Sequence, residues 1–131
     1  MTKAAELLQK NKRDYIKTIC VDFDGVLSNT LYGGYDTNEF IFLPVTGAVE
    51  WINELVKYFE VLVFSARELS GQGQRNLYDW LNKYGFPGDI LIWTNIKPPR
   101  AHYFVDDRAN FDGTNFPTVQ FLLDFTPWNR K

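Results

Sequence analysis

The sequence IKTICVDFDGVL at residues 16–27 joins a short apolar run to a pair of acidic residues. Its first part, at 16–23, is rich in β-branched and aromatic residues, which is typical of a short buried strand. Asp24-Gly25 follows at once and indicates that the chain turns there. The sequence therefore predicts a central strand whose carboxyl end carries two carboxylates, on Asp22 and Asp24.

Strands and helices alternate in the prediction for the rest of the chain. Apolar residues three and four positions apart predict helices at 2–12, 45–59 and 72–84. Short apolar runs predict further strands at 60–65, 89–94, 102–106 and 118–123. Such alternation indicates a parallel sheet covered on both faces. We therefore predict an α/β fold, a Rossmann-like three-layer sandwich with a mainly parallel five-stranded sheet.

One domain, at 1–131, is the simplest organisation for a chain of this length. Residues 28–44 are irregular and contain the turn signals Gly33-Gly34 and Asp36-Thr37-Asn38. They predict a short hairpin flap after the first strand, because the segment is too short for a separate domain.

Composition and charge narrow the partners. The net charge of −2 does not suggest a protein that coats nucleic acid or binds an anionic membrane. No apolar run approaches the roughly 20 residues that span a bilayer, and residues 1–15 lack the apolar core of a secretory signal. The single cysteine, Cys20, fits a reducing compartment and is interpreted as a buried apolar side chain. We expect a cytoplasmic protein without a membrane partner.

Polar side chains follow four successive predicted strands at the points where the strands end. Ligands of open α/β sheets bind at the carboxyl ends of the strands, so we expect these side chains to converge. In chain order they are Asp22 and Asp24, Ser65 and Arg67, Lys97, and Asp106 with Asp107.

These residue types suit the transfer of a phosphoryl group. Asp22, Asp106 and Asp107 supply the hard oxygens that magnesium prefers, and a divalent cation would relieve the repulsion among them. Lys97 can bind a phosphate oxygen, and Ser65 can donate its hydroxyl to another. Arg67 is interpreted either as a solvated surface residue or as a group that binds a phosphate or a second substrate anion.

The two aspartates of the first strand can take different roles. Asp22 would attack phosphorus and form an aspartyl-phosphate. A bend at Asp24-Gly25 would bring the Asp24 carboxyl to the leaving oxygen, where it acts first as an acid and then as a base. His102 and Asp112 are interpreted as structural, since His102 begins a strand and Asp112-Gly113 is typical of a turn.

The four motifs, taken together, resemble the haloacid dehalogenase (HAD) superfamily. VDFDGVL at 21–27 is similar to its first motif, an Asp-x-Asp after an apolar strand. Ser65 in VFSAR, Lys97, and Asp106-Asp107 in YFVDDR resemble its second, third and fourth motifs, in family order. The resemblance covers about 16 to 112.

The resemblance implies a Rossmann-like core, a bound magnesium ion and a phosphatase, because dehalogenases of the family lack the second aspartate. It also implies that Asp24 gives the metal its backbone carbonyl, that Asp107 is a direct ligand, and that Asp106 acts partly through water. The flap at 28–44 replaces the cap domain of larger members, so the chain resembles a capless or minimally capped one.

One spacing departs from the family pattern. Lys97 precedes Asp106 closely and is followed by Pro98-Pro99, whereas a helix separates the two positions in many members. Lys97 must therefore reach the site from a loop, and Lys83 is a weaker candidate for its role.

Three functions stay open on the sequence. The first is a phosphomonoester hydrolase that acts on a small phosphorylated metabolite, a nucleotide or the phosphorylated end of a nucleic acid; the acidic charge disfavours long nucleic acid. The second is a phosphoacceptor signalling domain of the receiver type, although the motif order favours the hydrolase. The third is a phosphate-binding domain without turnover.

Overall fold

The structure, a computed structural model, describes residues 16–30, 40–67, 69–94 and 100–127. The predicted helix at 2–12, the centre of the flap and Lys97 lie outside these residues. The elements run in the order β1 (Thr18–Asp22), α1 (Ala48–Leu55), β2 (Glu60–Ser65), α2 (Gly71–Lys83), β3 (Leu91–Thr94), β4 (Tyr103–Val105) and α3 (Val119–Asp124). An α/β fold is therefore confirmed.

The described strands form one four-stranded parallel sheet in the order β3-β2-β1-β4. β1 pairs with β2 through Asp22 and Phe64, and with β4 through Val21 and Val105. The chain moves outward from β1 to β2 and β3 and then returns to the other side of β1. The strand order therefore reverses between β1 and β4, which is where ligands bind in sheets of this kind.

The core forms on one face of this sheet. Alternate residues of β1, Ile19 and Val21, point to that face and join a single buried cluster. Each of the three described helices adds side chains to the same cluster, and Ile52, Leu77 and Leu122 are examples. Crossovers between parallel strands are right-handed, which explains why α1 and α2 share a face when the strands advance in one direction.

The opposite face carries Cys20 and Leu62, which are buried, and side chains that stay exposed. Leu91, Trp93 and Phe104 are 54%, 40% and 40% exposed. The three described helices do not cover this face, so the second helix layer of the predicted sandwich is not among them.

The fifth predicted strand, at 118–123, is wrong. These residues instead form α3, at Val119–Asp124, which begins where the Thr118 side chain accepts a hydrogen bond from the backbone N–H of Phe121. At the other end, the Lys17 ammonium donates to the backbone carbonyls of Leu122, Leu123 and Phe125. Both ends of the helix are thus satisfied, as short helices require.

The helix predicted at 45–59 is shorter in the structure, at Ala48–Leu55. Gly47 precedes it with φ of 88°, in the left-handed region. After Leu55 the backbone closes tight turns, with bonds from Lys57 N–H to Glu54 and from Tyr58 N–H to Leu55. The apolar spacing therefore continued past the point where the helical backbone ends.

The ends of the predicted flap lie side by side. Ser28 and Pro44 form an antiparallel bridge, and the N–H of Asn29 donates to the carbonyl of Leu43 over 2.9 Å. This pairing agrees with the base of a hairpin, while 31–39 lie outside the described residues. Within the described part of the chain, no helix has the length and apolarity to cross a bilayer.

The contact between Lys17 and α3 gives a test of the corrected fold. Lys17→Met removes the ammonium from three carbonyls, and we expect the free energy of unfolding to fall by about 2 kcal/mol. Lys57→Met is the matched control, because Lys57 forms an exposed pair with Glu54, and its loss should cost about 0.5 kcal/mol or less. Urea denaturation measures both; equal small losses would contradict the assignment of α3.

Candidate metal centre

Three carboxylates meet where the strand order reverses. Asp22 is the last residue of β1, and Asp106 and Asp107 follow β4 directly. One oxygen from each carboxylate lies within 4.8 Å of the others. Since β1 and β4 are parallel neighbours, their carboxyl ends lie together, as the sequence predicted. A cluster of three aspartates of this size could hold a metal ion.

A tight turn after β4 fixes the two later aspartates. The carbonyl of Asp106 accepts hydrogen bonds from the N–H groups of Ala109, Asn110 and Phe111. The Asp106 side chain also accepts from the N–H of Arg108 over 2.9 Å. The Oδ1 atom of Asp106 therefore stabilises the turn itself. The Asp106 carboxylate has correspondingly less capacity to bind a cation.

Asp107 is oriented toward Asp22. The two side chains share a hydrogen bond, while the Oδ1 atom of Asp107 is buried and makes none. A buried carboxylate oxygen without a hydrogen bond is costly in a folded protein, and a cation would satisfy it. The donor set therefore fits a metal ion, with Asp107 better prepared than Asp106 for direct contact.

Gly25 lets the turn after β1 approach this cluster. Its φ is 84°, and a Cβ placed there would lie only 2.7 Å from the Cγ of Asp107. A larger residue would thus be strained by its backbone and would also displace the carboxylate. The Asp-Gly signal predicted the turn, but the close approach to Asp107 depends on residues 82 positions apart (107 − 25) and is absent from any local pattern.

The surroundings of Asp22 strongly disfavour the ionised form of its carboxyl group. The pKa of the Asp22 carboxyl is raised to about 8, and burial is the largest cause. The charges of Asp106, Asp107 and then Asp24, together with a hydrogen bond with Asp107, account for the rest of this rise. Without a cation, Asp22 therefore holds a proton near neutral pH, and a bound cation would release it.

Asp24 has a different partner from Asp22. Its Oδ2 accepts a hydrogen bond from Nε of Arg67 over 2.8 Å, and its Oδ1 accepts a very short one from Nη2 of the same guanidinium. Both residues are buried, Arg67 at 6% exposure. This two-point ion pair ties the turn after β1 to the segment after β2.

Aromatic rings enclose the guanidinium of Arg67. Its Cζ lies 4.8 Å from the ring centre of Phe40 and 5.9 Å from that of Phe23. The two rings contact each other edge to face, at 5.6 Å between centres. Arg67 is therefore not the solvated surface arginine that the sequence left open; it is a buried cation held between a carboxylate and two rings.

Ser65 ends β2 beside β1, at the edge of the sheet where it was predicted. It is completely buried, and its Oγ accepts the N–H of Arg67 over 3.2 Å. Accepting that bond leaves the hydroxyl proton for donation. Lys97 lies outside the described residues. Lys83 is the last residue of α2, at the end of that helix remote from the carboxyl ends of the strands, so it is a poor replacement.

Two open cavities, each of about 400 Å³, adjoin the cluster. One lies on the less covered face of the sheet between Asp22, Asp106, Phe64 and Phe104. The other adjoins Gly25 and is lined by polar side chains that include Asn29, Thr30 and Thr46. The first cavity therefore opens directly onto the carboxylates of Asp22 and Asp106, while the second reaches only the turn at Gly25.

The residues interpreted as structural behave accordingly. Cys20 is buried, and burial raises the pKa of its thiol to about 12. Nδ1 of His102 accepts the N–H of Thr18, so the imidazole joins β4 to β1. Asp112 accepts hydrogen bonds from Thr114 and Asn115 within its own turn.

Comparison of the chain with protein-family models, with curated proteins and with solved structures gives no match.

The role of Gly25 can be tested against a glycine with the same backbone conformation. We expect Gly25→Ala to weaken Mn²⁺ or Mg²⁺ binding by at least about tenfold, because the new methyl group displaces the Asp107 carboxylate. Gly113→Ala is the control: its φ is 91°, yet no atom lies within 4 Å of the added Cβ. Isothermal titration calorimetry measures both affinities, and equal losses would contradict the contact.

The pKa of Asp22 predicts that cation binding depends on pH. Below about 8 a cation must displace the Asp22 proton, so affinity should rise by about tenfold per pH unit and level off above the pKa. Titrations between pH 6 and 9 with a fixed ionic strength measure this slope. Asp22→Asn should flatten it, and an unchanged slope in that variant would assign the proton to another group.

The same pKa predicts the pH dependence of stability without metal. Between about pH 4 and 8 the folded protein holds a proton that the unfolded chain has released, so the stabilisation is complete below that window and is lost as the pH rises through it. Thermal melts in a chelator should therefore show a falling melting temperature across the window. A rise, or the same fall in Asp22→Asn, would contradict the raised pKa.

Proposed function

We propose that the chain is a magnesium-dependent phosphomonoester hydrolase that works through an aspartyl-phosphate on Asp22. The observation that carries the proposal is the convergence of Asp22, Asp106 and Asp107 within 4.8 Å, at the reversal point of a parallel sheet. The adjacent Asp24, bound by Arg67, gives the site a second carboxylate with a separate environment.

We also propose a relationship to the HAD superfamily, as a member with a Rossmann-like core and a minimal cap at 28–44. The support is twofold. The four motifs come in the family order along the chain, and the motifs within the described residues all lie at the carboxyl ends of the parallel strands. Asp22 ends β1 and Asp24 comes just after it, Ser65 ends β2, and the acidic pair follows β4.

The proposed cation is magnesium, because carboxylate oxygens are its preferred protein ligands. Asp22 and Asp107 would hold it directly, with Asp106 and the backbone carbonyl of Asp24 as further ligands. Bound there, the ion would neutralise the carboxylates and polarise the phosphoryl group of a substrate. The proton on metal-free Asp22 would be released at the same time, which leaves the nucleophile ionised.

The reaction then divides into two steps. Before the first step, Asp24 leaves Arg67 and takes a proton from solvent. An Asp22 oxygen then attacks phosphorus, the bond from phosphorus to the leaving oxygen breaks, and Asp24 gives that oxygen its proton. In the second, Asp24 takes a proton from water as the water attacks the phosphoryl group on Asp22. Inorganic phosphate leaves, and both carboxyl groups return to their starting states.

Other polar residues would hold the phosphoryl oxygens. Ser65 keeps a hydroxyl proton for this purpose, and Lys97 would reach in from the connection that follows β3. The proposed substrate is a small phosphorylated metabolite, a nucleotide or a phosphorylated nucleic-acid end. The polar cavity beside Gly25, with Asn29 and Thr30, offers hydrogen bonds to the group that carries the phosphate.

The nucleophile is tested by Asp22→Asn. An amide cannot attack phosphorus at a useful rate, so we expect hydrolysis of p-nitrophenyl phosphate with Mg²⁺ to fall by at least about a thousandfold. Asp112→Asn is the control, because Asp112 is an exposed aspartate of a separate turn. Undiminished turnover in Asp22→Asn would overturn the mechanism.

Asp24→Asn separates a phosphatase from a receiver-type phosphoacceptor. We expect it to slow turnover by about a hundredfold or more while Mg²⁺ affinity changes by less than about twofold. Rapid-quench mass spectrometry should then find phosphate on Asp22 in the slowed variant. An aspartyl-phosphate that lasts for minutes in the wild-type protein would favour the receiver instead.

A further inference from the structure

Two aspartates that are two positions apart have different partners in this structure. Asp22 joins the carboxylate cluster with Asp106 and Asp107. Asp24 does not belong to that cluster, although its turn touches it, since Gly25 lies against the Asp107 carboxylate. The charge of Asp24 is also close enough to raise the pKa of Asp22. The Asp24 carboxylate therefore lies near the cluster but is held apart from it.

Arg67 supplies that restraint. Its guanidinium binds both oxygens of Asp24, and the fork geometry fixes the rotation of the carboxylate as well as its position. Phe40 and Phe23 enclose the guanidinium, and the backbone N–H of Arg67 is bonded to Ser65. These contacts fix the position of the guanidinium, and the guanidinium in turn fixes the position of the Asp24 carboxylate.

We propose that Arg67 separates the roles of the two neighbouring aspartates: by pairing with Asp24, it keeps that carboxylate out of the cation site formed by Asp22, Asp106 and Asp107. Arg67 is then a positioning residue for Asp24 and not primarily a substrate ligand. This inference rests on the cation site of the proposed function, but it does not require that the protein hydrolyse phosphate esters.

Loss of the guanidinium has a consequence that a merely structural role would not have. A freed Asp24 carboxylate can turn toward the cluster and become an additional ligand, and carboxylate ligands raise the affinity of a site for divalent cations. Removing Arg67 should therefore tighten cation binding while it lowers turnover. A general loss of structure would weaken both.

A double-mutant cycle in the full chain tests this, with Mn²⁺ affinity measured by electron paramagnetic resonance of the free ion. We expect Arg67→Met to bind Mn²⁺ about tenfold more tightly than wild type. Asp24→Asn should stay within about twofold of wild type, and Arg67→Met/Asp24→Asn should match Asp24→Asn. Arg75→Met is the control for the same change on an exposed arginine, which donates a hydrogen bond to Gln72 in its own helix, and its affinity should not change.

The variants also cover a failure to fold. Arg67→Met leaves Asp24 buried without its partner, whereas the double variant removes both charges and should recover stability. If Arg67→Met is unfolded, Arg67→Lys takes its place, because an ammonium can hold only one oxygen at a time. It should bind Mn²⁺ more tightly than wild type, by about threefold, and only when Asp24 is present.

The outcomes distinguish the inference from the function on which it rests. Wild-type protein that binds no Mn²⁺ overturns the cation site and the inference together. Wild-type binding with no gain in Arg67→Met and Arg67→Lys, or a gain that persists without Asp24, overturns the inference alone. A gain that disappears with Asp24 supports it, whatever the turnover of a phosphate ester.

Discussion

The pairing of β1 with a parallel strand on each side is the constraint on which the site depends. On one side, β4 brings Asp106 and Asp107 to the end of β1. On the other, β2 brings Ser65 and Arg67. The end of β1 therefore lies between an acidic and a basic neighbour, and its two aspartates divide between them. Buried contacts among valines of the three strands, rather than attraction among the charges, maintain this arrangement.

The carboxylates on the acidic side of the site, those of Asp22, Asp106 and Asp107, repel one another. Three carboxylates within 4.8 Å in a partly buried site cannot all be ionised without a large electrostatic cost. In the metal-free protein this cost is reduced because Asp22 keeps its proton. The basic side is already compensated, since the Arg67 charge is matched by Asp24 at contact distance. Under the proposed function, a divalent cation would supply positive charge on the acidic side only, and the ion pair at the neighbouring position would need none.

The sequence predicts most of the fold because the polar residues of the site directly follow apolar strands. Local patterns alone predicted, to within one residue, that β1 ends at Asp22, that β2 ends at Ser65 and that β4 ends just before Asp106. The run TVQFLL at 118–123 could not be assigned in the same way, because a short apolar run fits a strand or a buried helix equally well. What decides it is a side chain from a distant part of the chain, the ammonium of Lys17, which lies 105 positions before the Leu122 carbonyl that it binds.

The partner of Arg67 was equally hidden from the sequence. An arginine after a strand end indicates an anion, but the nearest anion proves to be Asp24, 43 positions earlier in the chain. Residue type therefore predicted the chemistry of the contact, while the identity of the partner depended on the register between β1 and β2. The same limit applies to Gly25. It must lack a side chain because Asp107, which follows the neighbouring strand β4, lies against it.

The hydrogen bonds from Arg67 to both oxygens of Asp24 also constrain the proposed reaction. A carboxylate whose two oxygens are both held by a guanidinium fork keeps the position and rotation that the fork sets. It cannot turn toward another group without giving up at least one of these hydrogen bonds. Under the proposed mechanism, Asp24 must therefore loosen this contact once a phosphorylated substrate has entered. A phosphorylated substrate brings negative charge close to this pair, and that charge would repel the Asp24 carboxylate and weaken its contact with Arg67 without touching the guanidinium. Arg67 would then keep Asp24 away from the cation in the resting site and release it toward the leaving oxygen only when there is a proton to transfer.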